Sequence, residues 1–163
     1  MERLWSPWRM AYVSDPGGGS GPGTDCIFCA ALASADDAAS YVLHRGERTF
    51  VLLNAFPYNT GHLMIAPQRH MGELEGLDAG ARSELIELTA RATSILKGVM
   101  RPDGFNVGMN LGEVAGAGVP GHLHVHVVPR WSGDTNFMPV VGDTKVLPET
   151  LDQTYVKLRP AFG

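Results

Sequence analysis

The stretch GHLHVHVVPRW at residues 121–131 holds three of the chain's six histidines, His122, His124 and His126, at alternate positions. Side chains on a β-strand alternate faces with a period of two. The segment therefore predicts a strand with one imidazole face and one aliphatic face. Leu123, Val125 and Val127 lie on the aliphatic face and build the core. The outer two imidazole-bearing α-carbons would stand about 13 Å apart, a span that suits a polyphosphate chain needing several donors in a row. The competing reading is a solvated strand face that happens to hold histidines. Against it stand the scarcity of imidazole in the chain and the glycine-rich loop LGEVAGAGVPG just upstream.

Around this strand the pattern predicts an α+β fold. CIFCAALAS can form a short helix. YVLHRG and RTFVLLN read as strands joined by a turn at 45–47, and HLMIAP as a third strand stopped by Pro67. Leu77, Ala81, Leu85, Leu88, Ala92, Ile95 and Val99 recur at steps of three and four and make one apolar helical stripe. Asp78 is its expected N-cap, and Gly98 and Pro102 bracket its end. FNVGMN and HLHVHVV supply two further strands, and the tail from Val146 to Arg159 reads as a last helix opened by Pro148. Strands, one long helix, then strands imply a mainly antiparallel five-stranded sheet with helices on one side.

The 163 residues suffice for one domain with a real core, expected over residues 26–163. The run PGGGSGPG makes residues 16–25 a flexible linker. It sets off an N-terminal arm, residues 1–15, whose Trp5 and Trp8 are expected to pack on the body or on a second subunit. A net charge of −4 gives no reason to expect nucleic acid as a partner. No apolar run approaches the ~20 residues of a membrane span. The opening MERLWSPWRM places charges and a proline where a signal peptide would be apolar. The expected location is cytoplasmic, where Cys26 and Cys29 are thiols or metal ligands rather than a structural disulfide.

Three imidazoles on one face allow a metal site or nucleophilic catalysis. Neighbours at i and i+2 on a flat strand splay apart, which disfavours one ion held by all three. A neutral imidazole attacks phosphorus without a strong base, because its pKa lies near working pH, and glycine-loop N–H groups with flanking imidazoles can stabilise the phosphoryl oxygens. CIFC offers two thiolates at zinc-knuckle spacing, half of a metal site. A redox pair or two buried structural thiols are its other readings.

HLHVHVV fits the histidine-triad pattern, His-φ-His-φ-His-φ-φ with φ apolar, at every position. With LNAFPYNTGHLMIAPQRH upstream, the chain resembles the histidine-triad (HIT) family. RLWSPWRMAYV, CIFC and HVVPRWSGDTNFMPV are similar to the bacterial branch of diadenosine tetraphosphate phosphorylases and hydrolases. The resemblance implies a HIT-like fold and an enzyme that cleaves a dinucleoside polyphosphate at its α-phosphorus, with phosphate or water as acceptor. It makes His124 the nucleophile that forms a nucleotidyl–histidine intermediate. His126 binds phosphate and assists the leaving group, and His62 stands near the site. Asn54 would meet the ribose hydroxyls and Asn110 the phosphates, with backbone donors around Gly116 and Gly118. As plainer readings, His62 merely opens a strand and Asn54 is a turn residue. Val119 departs from the pattern, since the family often has Ser or Thr there. His126 also departs from the phosphorylases and uridylyltransferases of the wider superfamily, which often have Gln at that place. The resemblance further implies a structural zinc held by Cys26, Cys29, His70 and His122, with His44 as a competing fourth ligand, and a homodimer to which Trp5, Trp8 and Phe137 contribute apolar surface. A nucleoside phosphoramidase, or a non-enzymatic nucleotide-binding protein, would use the same pocket.

Overall fold

The computed structural model describes residues 26–142, 144 and 146–163. The expected arm and linker, with Trp5 and Trp8, lie outside the described residues. In chain order the elements are α1 (Ile27–Ala33), β1 (Val42–Arg45), β2 (Thr49–Leu53), β3 (Leu63–Pro67), α2 (Ala79–Met100), β4 (Gly104–Met109), β5 (Val125–Arg130), α3 (Met138–Gly142) and α4 (Leu151–Phe162). A 3₁₀ turn at Glu113–Ala115 sits in the glycine-rich loop. The five strands form one sheet in the order β1-β2-β3-β5-β4, and each neighbouring pair is antiparallel.

Alternation along the strands splits the core in two. Val51, Leu53, Leu63, Ile65, Leu123, Val125 and Val127 face α2 and α4, where Ala81, Leu85, Leu88, Ala92, Leu96, Leu158 and Phe162 meet them. Phe50, Leu52, Met64 and Ala66 face the other way, onto Phe28 and Ala31 of α1. Met64 pairs directly with His126 in the β3–β5 register. Opposed residues share a face, so the triad histidines stand on the α1 side, with the long helix behind the sheet.

The α+β architecture and the antiparallel sheet are as expected, but the helices do not all lie on one side: Phe28 and Ala31 place α1 on the face opposite α2 and α4. The remaining differences are local. The α2 stripe uses Leu96 as its buried residue, with Ile95 and Val99 only packed against the core. Leu77 is buried but precedes the N-cap Asp78, whose side chain accepts from Ala81 N–H. Gly98 lies inside the helix; the stop comes at Arg101, in the left-handed region at φ 51°, ahead of Pro102. The last helix begins at Leu151 rather than near Pro148, because Thr150 and Gln153 form a reciprocal capping box there. Helix α3 was not expected from the sequence.

Candidate active site and metal centre

The triad strand starts later than its pattern suggests. The ladder begins at Val125, because Leu123 N–H is taken by Met71 carbonyl at 2.7 Å, in the segment after β3, rather than by a strand neighbour. His122 and His124 therefore lie in the lead-in to β5 and His126 lies within it. Alternation still holds through the lead-in. Leu123 joins the main core, whereas the Phe28 ring stands 4.9 Å from both the His122 and the His124 ring centroids.

Hydrogen bonds fix the proton on each ring. His124 Nδ1 lies 2.8 Å from the His122 carbonyl. A carbonyl only accepts, so Nδ1 carries the proton and Nε2 keeps its lone pair. Burial holds the His124 pKa below the usual histidine value, partly offset by that hydrogen bond. His62 Nδ1 accepts from Tyr58 N–H at 3.1 Å, so its proton sits on Nε2, 2.9 Å from His126 Nδ1. His126 Nδ1 is then the acceptor, and its own proton sits on Nε2. Burial first, then His126 and His124, push the His62 pKa down to about 3. His62 is thus a neutral donor to His126, only 1 % exposed, just ahead of β3. Tyr58 stacks over this pair, 4.6 Å from His62 and 5.7 Å from His126 between ring centroids.

The second cluster lies under the first triad histidine. Cys26, Cys29, His70 and His122 bring one donor atom each to within 4.8 Å of one another. His122 Nδ1 stands 3.2 Å from Cys26 Sγ and 3.7 Å from Cys29 Sγ, and His70 Nδ1 stands 3.3 Å from Cys29 Sγ. Ligands at zinc–sulfur and zinc–nitrogen distances on a tetrahedral ion stand roughly 3.3–3.8 Å apart, so these three contacts match a four-ligand site, while the other pairs, within 4.8 Å, would close in slightly around an ion. His122 Nε2 donates to the Pro67 carbonyl at 2.7 Å, which leaves the Nδ1 lone pair facing the thiols. Burial, then the neighbouring Cys26, pushes the Cys29 thiol pKa up, and a cation at the centre would reverse that. These four residues could hold a metal ion. His44 stands apart from them: it faces Arg91 at 3.3 Å and the Phe162 ring, behind the sheet.

The remaining expected residues occupy the rim. Asn54 Nδ2 lies 3.3 Å from His62 Nδ1, while its Oδ1 accepts Phe56 N–H at 2.9 Å, so it is both a turn residue and a neighbour of the site. Asn110 Nδ2 donates to the Gly116 carbonyl at 3.1 Å and ties β4 to the glycine-rich loop. Gly116 sits at φ 86°, where a side chain is disfavoured. Its N–H donates to the Glu113 carbonyl at 2.8 Å. In this conformation the Gly116 N–H is spent within the loop. Gly118 lies in the half-buried loop between Gly116 and Val119. Val119 packs on the α1-side core, an apolar use of the position where a hydroxyl was expected. Phe28 and Tyr58 were missed as site residues. Phe28 sits inside the quoted CIFC, but nothing in a CxxC spacing says that the intervening ring will lie against histidines nearly a hundred positions on.

Residues 36–133 match the HIT domain family. The chain is 42 % identical over 160 residues to an AP-4-A phosphorylase of Mycobacterium tuberculosis, covering 94 % of this chain and 80 % of that one. It is 30 % identical over 95 residues to the asymmetrical bis(5'-nucleosyl)-tetraphosphatase of Schizosaccharomyces pombe, covering 58 % of this chain and 52 % of that one. In fold it is similar to a zinc-bound histidine triad family protein from Mycobacterium smegmatis, with TM-score 0.68 and 23 % identity, covering 88 % and 95 % of the two chains. A histidine whose Nε2 has no hydrogen-bond partner among the described residues, flanked by two others on an antiparallel α+β sheet, is the arrangement of a histidine-triad protein. The chain belongs to the HIT family.

Proposed function

We propose that this chain is a histidine-triad nucleotidyl transferase that cleaves a dinucleoside polyphosphate, diadenosine tetraphosphate being the substrate the relatives favour. The observation that carries the reading is the fixed tautomer of His124. Its Nδ1–H is spent on the His122 carbonyl, so a buried, neutral Nε2 faces the site with its lone pair available. Nε2 attacks the α-phosphorus, a P–N bond forms, and the P–O bond to the leaving polyphosphate breaks. His126 Nε2–H, held by the proton that His62 donates to Nδ1, protonates the leaving oxygen. An acceptor then attacks the nucleotidyl–histidine and restores His124. Two in-line displacements replace one.

Asn54 contacts the ribose hydroxyls, and Asn110, Gly116 and Gly118 shape the loop around the phosphates, with His126 carrying the charge. A zinc ion held by Cys26, Cys29, His70 and His122 would be structural, because four protein ligands leave no open position. It would anchor the start of the triad segment and add no chemistry at phosphorus. The acceptor is phosphate, supported by the 42 % identity to a protein named as a phosphorylase. The protein works as a homodimer.

Product analysis tests this reading. Diadenosine tetraphosphate with phosphate should yield ADP and ATP. AMP and ATP in the presence of phosphate would make water the acceptor. No cleavage by the metal-loaded protein would overturn the assignment.

A further inference from the structure

His62 rests on a loop, residues 54–62, and no strand pairing holds that loop's tip. A separate set of polar contacts does so. Asn59 is buried at 6 % exposure, and its carbonyl accepts His62 N–H at 3.1 Å. Its side-chain amide donates to the Pro129 carbonyl at 3.0 Å and to Asp134 Oδ2 at 2.8 Å. The Asp134 side chain is only 8 % exposed. It also accepts from Arg130 Nε and Nη2, at 2.6 and 2.8 Å, and from Trp131 N–H at 3.2 Å. Gly133, at φ 77°, makes the tight turn that folds Asp134 back on the end of β5. Such a convergence of donors on one buried carboxylate is costly to dismantle and holds its partners rigidly.

The carboxylate thus joins two things the chemistry needs in register: the end of the strand that bears His126, and the loop that bears His62. We infer that Asp134 is a positioning residue for the reaction: with Arg130 and Asn59 it clasps the His62 loop to the end of the triad strand and so fixes the hydrogen bond from His62 to His126. The inference rests on the reading of His126 as proton donor given above. His62 can present Nε2–H to His126 only while its Nδ1 stays under Tyr58 N–H, and both groups belong to the loop that Asn59 secures. Loosening the clasp frees His62 to turn and His126 to move its proton to Nδ1, where it points away from the leaving oxygen.

The test uses the metal-loaded, full-length chain with Asp134→Asn and, as a smaller change, Asn59→Ala. Long-range proton–nitrogen NMR correlations on the substrate-free protein report the His126 tautomer. Steady-state kinetics with diadenosine tetraphosphate and phosphate report kcat and KM. The expected result is a single Nε2–H tautomer in the parent and a mixture in both variants, with metal content unchanged. kcat should fall about 10- to 100-fold, as slight misplacement of a reacting group does, while KM stays within about twofold. An unchanged tautomer with unchanged kcat overturns the inference. So does a lower melting temperature with the parental tautomer and kcat, since that marks a role in stability alone. A shifted tautomer with unchanged kcat keeps the clasp and overturns instead the role of His126 as donor, so the two failures are distinguishable.

Discussion

Each imidazole of the site has a different job because each has a different hydrogen-bond partner. His122 gives its Nε2 proton to Pro67, His124 gives its Nδ1 proton to His122, and His62 receives one proton at Nδ1 and gives another from Nε2. On the proposed reading, His124→Ala removes the attacking lone pair. Turnover should fall by on the order of a thousandfold or more, while AMP binding, measured by calorimetry, stays near the parental value. Retention of a tenth of the activity would refute the nucleophile. His62 carries a pH prediction. In the unfolded chain it takes a proton near 6.5, and in the folded protein not until about pH 3. Between those values the unfolded state holds more protons. The stability this site contributes is therefore complete above about pH 6.5 and is lost as pH falls, by about 1.4 kcal/mol per pH unit for one proton. Unfolding free energies from urea titrations between about pH 6.5 and about pH 4 should fall less steeply for His62→Gln than for the parent, by up to about 1.4 kcal/mol per pH unit. Equal slopes would mean that His62 titrates normally. The triad itself could be read from alternation alone. The clasp could not, since Asn59 and Asp134 lie 75 positions apart and each looks like an ordinary turn residue.

Among the elements, α1 is short and brings two cysteines that could hold a metal up against the first triad histidine. No side chain caps its start at Cys26. It is held by Phe28 and Ala31 in the α1-side core, by Arg45, which donates to the carbonyls of Ala31, Leu32 and Ser34, and by whatever joins its cysteines to His70 and His122. Cys26→Ser should lose most of the bound zinc by elemental analysis and lower the melting temperature by roughly 10 °C, as expected when several kcal/mol of folding energy are removed. Full zinc content and an unchanged melting temperature would show that the thiols are not ligands. The sequence pointed to this helix and to all five strands, because periodicity reports which face is buried. It misplaced their ends, because ends are set by partners far along the chain. The Met71 carbonyl takes Leu123 N–H and delays β5, and the Thr150–Gln153 box starts α4.

On the scale of the whole molecule, the sheet puts α2 and α4 on one face and the triad with the short α1 on the other, with β4 as an outer strand. Val107 on β4 is 50 % exposed, and Phe137, beside α3, is 69 % exposed. Apolar surface of this kind is covered when two copies pair, and sedimentation at micromolar concentration should find a dimer. A monomer there would refute the pairing. No helix among the described residues is long and apolar enough to cross a membrane. The central claim is covalent: a nucleotidyl group on His124 Nε2. The direct measurement is to mix the protein with diadenosine tetraphosphate in the absence of phosphate, quench rapidly into base, where a P–N bond survives, and locate the label by peptide mass spectrometry. One adenylyl group on the peptide bearing His124, discharged to ADP when phosphate is added before the quench, is the predicted result. An adduct on another residue, or cleavage that proceeds with no adduct at any time, would contradict it.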